Sequence, residues 1–231
     1  MAIILNIETS GPDCSVALTA DGSVLKQLTD RGRNHAEVLS GFIKNCLDHL
    51  SSHELKLNAV AVSLGPGSYT GLRIGLSEAK GLAYALDIPL IGIDTLKLLA
   101  TQVMFEEMPE ADTIFIPMID ARRMEIYTAA YDMTLTPLAE PHALILDEGS
   151  YSDIRNSGRP VLFFGSGADK AREIMESNAN VRFVSDIVPL ASGMTALAEQ
   201  AFMRRDFIDV AYSTPLYLKD FQATKPKNKV L

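Results

Sequence analysis

The stretch SLGPGSYTGLRIGL, Ser63 to Leu76, gathers Gly65, Pro66, Gly67, Gly71 and Gly75 around the start of a helix. The run before it, Asn58 to Val62, is a short apolar segment of the kind that forms a buried strand. A strand, a tight glycine turn and a helix start bring backbone N–H groups together where an anion can meet them. Two uses are open for such a turn: it binds a phosphate, or it only reverses the chain. The small residues continue past the turn, with Gly71, Gly75, Ala79 and Ala83 recurring every four residues. They form a ridge almost free of side chains, suited to close approach by a partner helix or by the chain's own sheet.

Upstream, Ile3 to Ile7 reads as a central strand, and Glu8 to Asp13, with Ser10, Gly11 and Pro12, as a turn. Ser15 to Leu18 and Ser23 to Thr29 read as further strands joined by Asp21-Gly22, a two-residue hairpin signal. Asn34 followed three residues later by Glu37 predicts a capping box. Leu39, Phe42, Ile43, Cys46, Leu47 and Leu50 fall at helical spacing and predict a helix over 34–50.

Downstream, the pattern predicts a helix over 71–86, a strand at Leu90–Ile93 and a helix over 95–108. Pro109-Glu110-Ala111-Asp112 is the best boundary, giving expected lobes over 1–108 and 109–231, the second with a short tail bearing Lys225, Lys227 and Lys229. Thr113–Ile119 and Met124–Tyr131 read as paired strands around Asp120-Ala121-Arg122-Arg123. Residues 133–160 are weakly patterned. Val161–Phe164 reads as a buried strand, Gly165-Ser166-Gly167-Ala168 as a helix opening, and 192–205 as a last helix. Strands mixed with helices, three hairpin-linked strands first, predict an α/β fold. A doubly wound sheet would begin strand–helix–strand.

The 231 residues are 47% hydrophobic and 22% charged, with a net charge of −8. This balance argues against a nucleic-acid binder acting alone. It leaves room for a local patch from Arg122, Arg123, Arg204, Arg205 and the lysine-bearing tail. Cys14 and Cys46 have no metal-type spacing and suit a reducing compartment. The N-terminus lacks the basic and long apolar regions of a signal peptide. No apolar run approaches the roughly 18 residues of a membrane span. The expected location is the cytoplasm, with no membrane contact.

The segments ILNIETSGPDCSVAL, NHAEVL, VSLGPGSYTGLRIGL and PMIDARRMEIY together resemble the TsaB (YeaZ) family. The resemblance covers most of residues 1–132 and returns weakly at Thr214 to Leu218. It implies two actin-like (ribonuclease H-like) lobes and a role in making threonylcarbamoyladenosine in tRNA. In that family TsaB is not the transferase. It pairs with the paralogue TsaD, which holds the metal and transfers the group, and the small ATPase TsaE joins them. Alone it forms homodimers, and it meets tRNA through the complex.

The resemblance also implies that helices 34–50 and 71–86 form the subunit contact. That assigns Leu39, Ile43, Gly71, Gly75, Ala79 and Ala83 to a partner interface, with packing against the chain's own sheet as the alternative. Candidate nucleotide-binding positions are Glu8, Thr9 and Ser10, Gly65 and Gly67, and Gly165 and Gly167. Glu8 stands where actin-like kinases and ATPases use an acidic residue near metal-bound phosphate; local turn chemistry is the alternative. Nucleotide-binding relatives carry glycine near Asp120-Ala121-Arg122, where Ala121 and Arg122 would crowd a phosphate. Weak ATP or ADP binding is therefore the most expected, and no cofactor.

Metal-binding relatives place two histidines at i and i+4 on one helix face. Here His35 is followed at that spacing by Leu39, and His49 and His53 flank a helix end, so no metal is expected. No G-x-S-x-G elbow is present, and no residue is assigned as catalytic. The expectation is an accessory subunit, against an alternative of a glycoprotease-like peptidase or an actin-like small-molecule kinase.

Overall fold

A computed structural model describes residues 2–32, 34–175 and 179–219. The first five strands are β1 (Ile3–Glu8), β2 (Cys14–Ala20), β3 (Ser23–Asp30), β4 (Ala59–Gly65) and β5 (Leu90–Asp94). They form one sheet in the order β3-β2-β1-β4-β5. β1 and β2 pair antiparallel, as do β2 and β3, while β1, β4 and β5 run parallel. Every residue of β1 is buried, because helices cover both faces, and a strand so placed reads as a continuous apolar run. On one face Ile3, Leu5 and Ile7 pack under α1 (His35–Ser52) and α2 (Tyr69–Leu86). On the other, Ile4 packs with Ala61, Ile91, Leu98 of α3 (Thr95–Glu107) and Ala198 of α6 (Thr195–Arg204).

The Asp21-Gly22 turn is as the sequence predicts. Both residues adopt positive φ (48° and 75°), the geometry that matches the twist of a two-residue hairpin. The start of α1 differs from expectation. Asn34 occupies the N-cap but its side chain makes no capping hydrogen bond, its backbone (φ −99°, ψ 39°) lying outside the extended region that aims the amide at the first turn.

The second sheet repeats the first. β6 (Ile114–Asp120), β7 (Glu125–Tyr131), β8 (Pro137–Ile145), β9 (Val161–Phe164) and β10 (Val181–Val184) run in the order β10-β9-β6-β7-β8. Two antiparallel pairings start it and β9 and β10 continue it in parallel. Both sheets thus carry three hairpin-linked strands followed by two parallel ones, an actin-like pair of lobes. α4 (Ser152–Arg155) and α5 (Ala168–Ile174) complete the second lobe. β8 lies in the stretch where the sequence shows little pattern: it is an edge strand, mostly exposed, opens on Pro137 and contains Pro141.

The expected boundary falls between α3 and β6, yet the residues after β10 do not all stay with the second lobe. Ala191 and Met194 are buried on the first lobe, α6 covers its sheet, and Ile208 bridges to Leu90. Leu216 N–H then donates to Leu64 O at 2.7 Å. The expected second lobe, 109–231, is corrected accordingly. Residues from about 190 to 216 return to the first lobe, where α6 helps cover the sheet face that carries Ile4, Ala61 and Ile91. Among the described residues no helix is long and apolar enough to cross a membrane.

Candidate functional site

A groove of about 930 Å³ separates the lobes at the C-terminal end of β1. Its walls are the first turn (Ser10 to Pro12), the N-terminal ends of α1 and α2, the β6–β7 turn, Ser166, and the segment Leu216 to Lys219. Every element the sequence marks as a candidate phosphate turn reaches this groove or its floor.

Glu8 ends β1 and is fully buried. Its Oε1 accepts the Ser10 N–H, while Oε2 has no well-aligned partner. Burial pushes the carboxyl up to about 7, an effect that hydrogen bonds from Ser10, Ser63 and Gly11 only partly offset. Thr9 is fully buried too, and its hydroxyl points at α2 without a hydrogen-bond partner.

The glycine turn is occupied by the protein itself. The Gly65–Pro66 peptide is cis, and Gly65 has φ +107°. A Cβ there would stand 2.9 Å from Leu72 Cδ1 and 3.0 Å from Leu216 O. A Cβ on Gly67 would stand 2.5 Å from Ser10 O, which itself accepts the Ser68 N–H at 2.7 Å. Ser68 caps α2 by accepting from Gly71 N–H at 3.2 Å. Gly65 and Gly67 are thus explained by close backbone approach.

The small-residue ridge faces inward. A side chain at Gly71 would run into Thr9 O, and one at Gly75 into Thr9 Oγ1. Ala79 and Ala83 are buried in the first lobe's core, as are Leu39 and Ile43. All six residues expected at a partner interface therefore lie inside this lobe, where the spacing of four serves contact between α2 and the chain's own sheet and first turn. The outward rows of the helices carry Arg73, Tyr84, Gly41 and Gly81, with open space beside both glycines. Ser40 Oγ donates to Glu78 Oε1 at 2.6 Å and ties the two helices into one surface.

In the second lobe, Gly165 (φ +95°) and Gly167 lie against β6. A Cβ on Gly165 would stand 2.5 Å from Met118 O, and Gly167 N–H donates to that oxygen at 2.9 Å. The β6–β7 turn puts both Arg122 (φ 72°) and Arg123 (φ 53°) in the left-handed region. Arg122 N–H donates to Asp120 Oδ1 at 2.5 Å, and Lys170 Nζ donates to the same oxygen at 2.6 Å. Arg204 and Arg205 end α6, whose Phe202 and Met203 border a hollow beside Ala2 and Asn58, at the opposite end of β1. The expected basic patch is thus split, and its lysines 225, 227 and 229 lie outside the described residues.

One wall of the groove was missed by sequence reasoning. Leu216 to Lys219 forms a strap. Tyr217 lies against Tyr69 (centroids 5.0 Å apart) and its hydroxyl accepts from Arg73 Nε at 3.0 Å. The Arg73 guanidinium stands 4.1 Å over the Tyr69 ring. Lys219 Nζ then crosses to Glu125 of β7, at 2.7 and 2.9 Å from its two oxygens. The strap joins α2 in one lobe to β7 in the other. Only the weak likeness at Thr214 to Leu218 hinted at it.

The remaining candidates lie elsewhere. Burial raises the Cys14 thiol to about 12 and the Cys46 thiol to about 11, which keeps both protonated and unreactive. His53 Nδ1 pairs with His49 O at 2.8 Å, and no cluster of three metal-ligating side chains occurs among the described residues. His35 Nε2 pairs with Gly11 O at 3.2 Å and helps close the first turn.

A family model described as TsaD, tRNA N6-adenosine threonylcarbamoyltransferase, matches residues 29–227. The chain is 35% identical over 228 residues to the tRNA threonylcarbamoyladenosine biosynthesis protein TsaB of Haemophilus influenzae, covering 94% of this chain and 93% of that one. It is 29% identical over 226 residues to the protein of the same name in Escherichia coli, covering 96% of each. The solved structure of YeaZ from Pseudomonas aeruginosa superposes with a TM-score of 0.79 at 25% identity, covering 94% of this chain and 100% of that one. Relatives that match along nearly the whole chain and a YeaZ structure with the same fold agree: the chain belongs to the TsaB (YeaZ) family.

Proposed function

We propose that this chain is the non-catalytic partner subunit of a tRNA threonylcarbamoyladenosine-forming complex, pairing with and activating a TsaD-type transferase. The observation that carries this reading is the near full-length match to relatives named for that biosynthesis. The chemistry of the groove supports it. In the candidate phosphate turns the Ser68 and Gly167 N–H groups are given to Ser10 O and Met118 O, the buried cysteines are held protonated, and Glu8 is held by its own turn. Nucleotide binding, if retained, is weak on this reading, and nothing favours a peptidase or a kinase.

The partner contact uses the outward rows of α1 and α2, which Ser40 and Glu78 hold as one surface. The buried small residues set the depth at which α2 sits on its sheet, and so the height of that surface. Alone, the chain pairs with a second copy; with its partners it meets the TsaD-type subunit and a TsaE-type ATPase, in the cytoplasm. Its effect on the reaction is to favour the productive state of the partner's site.

Reconstitution tests this. The chain is mixed with the TsaD-type and TsaE-type proteins of its own organism, tRNA, ATP and the threonylcarbamoyl donor, and modified adenosine is measured. The expected result is modification that depends on this chain. Full-rate modification without it overturns the reading.

A further inference from the structure

We propose that the Arg122–Arg123 turn is a contact for the phosphate backbone of RNA. The proposal rests on the reading of the chain as a subunit of a tRNA-modifying complex and goes on to say which surface of this subunit touches the tRNA.

The turn is hydrogen-bonded and cationic. Ala121 N–H donates to Glu125 O at 3.0 Å and Glu125 N–H to Arg122 O at 3.2 Å, while the Asp120 carboxylate holds the Arg122 N–H. Both arginines are exposed on the rim of the groove, and neither guanidinium is paired among the described residues. The carboxylates beside them are already neutralised: Asp120 by Lys170 at 2.6 Å and Glu125 by Lys219 at 2.7 Å. Two positive charges are left facing solvent on a chain whose net charge is −8.

The opposite wall adds to the same field. α1 and α2, 18 residues each, both point their N-terminal ends into the groove, and no side chain caps α1. Glu37, exposed on the first turn of α1, is the opposing charge.

The form of the site favours a nucleic-acid backbone over a free nucleotide. A terminal phosphate needs an enclosing turn of free N–H groups, and in the candidate turns the Ser68 N–H is already given to Ser10 O and the Gly167 N–H to Met118 O. What remains is an open rim with guanidinium groups, the arrangement that follows a chain of phosphates and makes affinity depend on salt.

The test is fluorescence anisotropy of a labelled tRNA transcript titrated with the complex of this chain and the TsaD-type protein of its own organism across a salt series. The expected result is binding whose log–log salt slope falls by about two in Arg122→Ala/Arg123→Ala, one for each phosphate that an arginine no longer neutralises. Arg204→Ala/Arg205→Ala keeps the wild-type slope, and Glu37→Gln binds more tightly. Thermal melts confirm that the exposed substitutions leave the fold intact. An unchanged slope in the Arg122/Arg123 variant overturns the proposal, as does absence of binding by the wild type. Displacement of the RNA by an equivalent of ATP or inorganic phosphate assigns the arginines to a small phosphate ligand and overturns it too.

The outcome is separable from that of the reconstitution. A chain that modification requires, with an RNA salt slope indifferent to Arg122 and Arg123, removes this contact and leaves the functional reading. A dispensable chain whose slope follows the two arginines does the reverse.

Discussion

Gly75 of α2 lies directly on Thr9 of the first turn, so close that a side chain on Gly75 would collide with the Thr9 hydroxyl and stand 3.3 Å from its Cβ and Cγ2. This contact fixes how near α2 sits to the end of β1, and through Gly71 and the Thr9 carbonyl it is made twice.

Gly75→Ala is expected to destabilise the protein by about 1–3 kcal/mol through overpacking, against its better helix propensity. Thr9→Ala removes a buried hydroxyl with no partner and is expected to be near neutral. The two together should cost less than the sum of the two singles. Urea denaturation of all four proteins measures the coupling, and strict additivity would count against the contact.

Gly81 on the same helix is the opposite case. It is exposed with nothing within 4 Å of an added Cβ. Gly81→Ala is expected to stabilise by about 0.5–1 kcal/mol, the helix-interior penalty of glycine removed without a clash. If urea melts show Gly75→Ala and Gly81→Ala shifting stability in the same direction, the inward orientation of the ridge is wrong.

Glu8 makes stability depend on pH. Its folded carboxyl titrates near 7 against an ordinary 4.5, so the folded state holds the proton more tightly than the unfolded one. Stability from this group is complete below about pH 4.5, falls as the pH rises, and levels off above about 7. Glu8→Gln keeps an oxygen for the Ser10 N–H and removes the ionisation. It is expected to stabilise by up to about 3 kcal/mol at pH 8 and to change little at pH 4. Thermal melts at the two pH values check the difference; an equal effect at both would show that Glu8 does not titrate as described.

The strap should act as a weak, separable tie. Lys219→Ala removes a partly exposed ion pair and is expected to cost no more than about 1 kcal/mol, an effect that added salt erases. Tyr217→Ala also gives up the ring packing with Tyr69 and the hydrogen bond from Arg73, and is expected to cost more and to persist in salt. Hydrogen exchange at Leu216 N–H, which donates to Leu64, is the local readout and should quicken more in Tyr217→Ala than in Lys219→Ala.

Much of this architecture is legible in the residues, and the exceptions have physical reasons. The Asp21-Gly22 hairpin and the buried strands at 3–7 and 161–164 are local signals, and local signals survive into the fold. β8 is not legible because an exposed edge strand containing prolines has no apolar face to display. The ridge at Gly71, Gly75, Ala79 and Ala83 was visible, but its direction was not: small residues repeat every four positions whether the close neighbour is a partner or the chain's own turn. The groove's glycines stand out in the sequence as candidate nucleotide-binding positions, but sequence could not say that Ser10, Leu216 and Met118 come so close to them. Tyr217 and Lys219 were invisible as site residues because Arg73 and Glu125 are 144 and 94 positions away.

The return of α6 to the first sheet bears on how the chain is made. Ile4, Ala61 and Ile91 leave the ribosome well before Ala198 and Met194, which cover them. The first half therefore emerges with one side of its sheet covered only in part, by Leu98 of α3, and must wait for the rest of synthesis to be sealed. Although each half repeats the same strand order, neither is a self-sufficient gene product. A fragment ending after α3 should aggregate, and a stop codon anywhere before residue 195 should send the whole translation product to proteolysis rather than leave a working half.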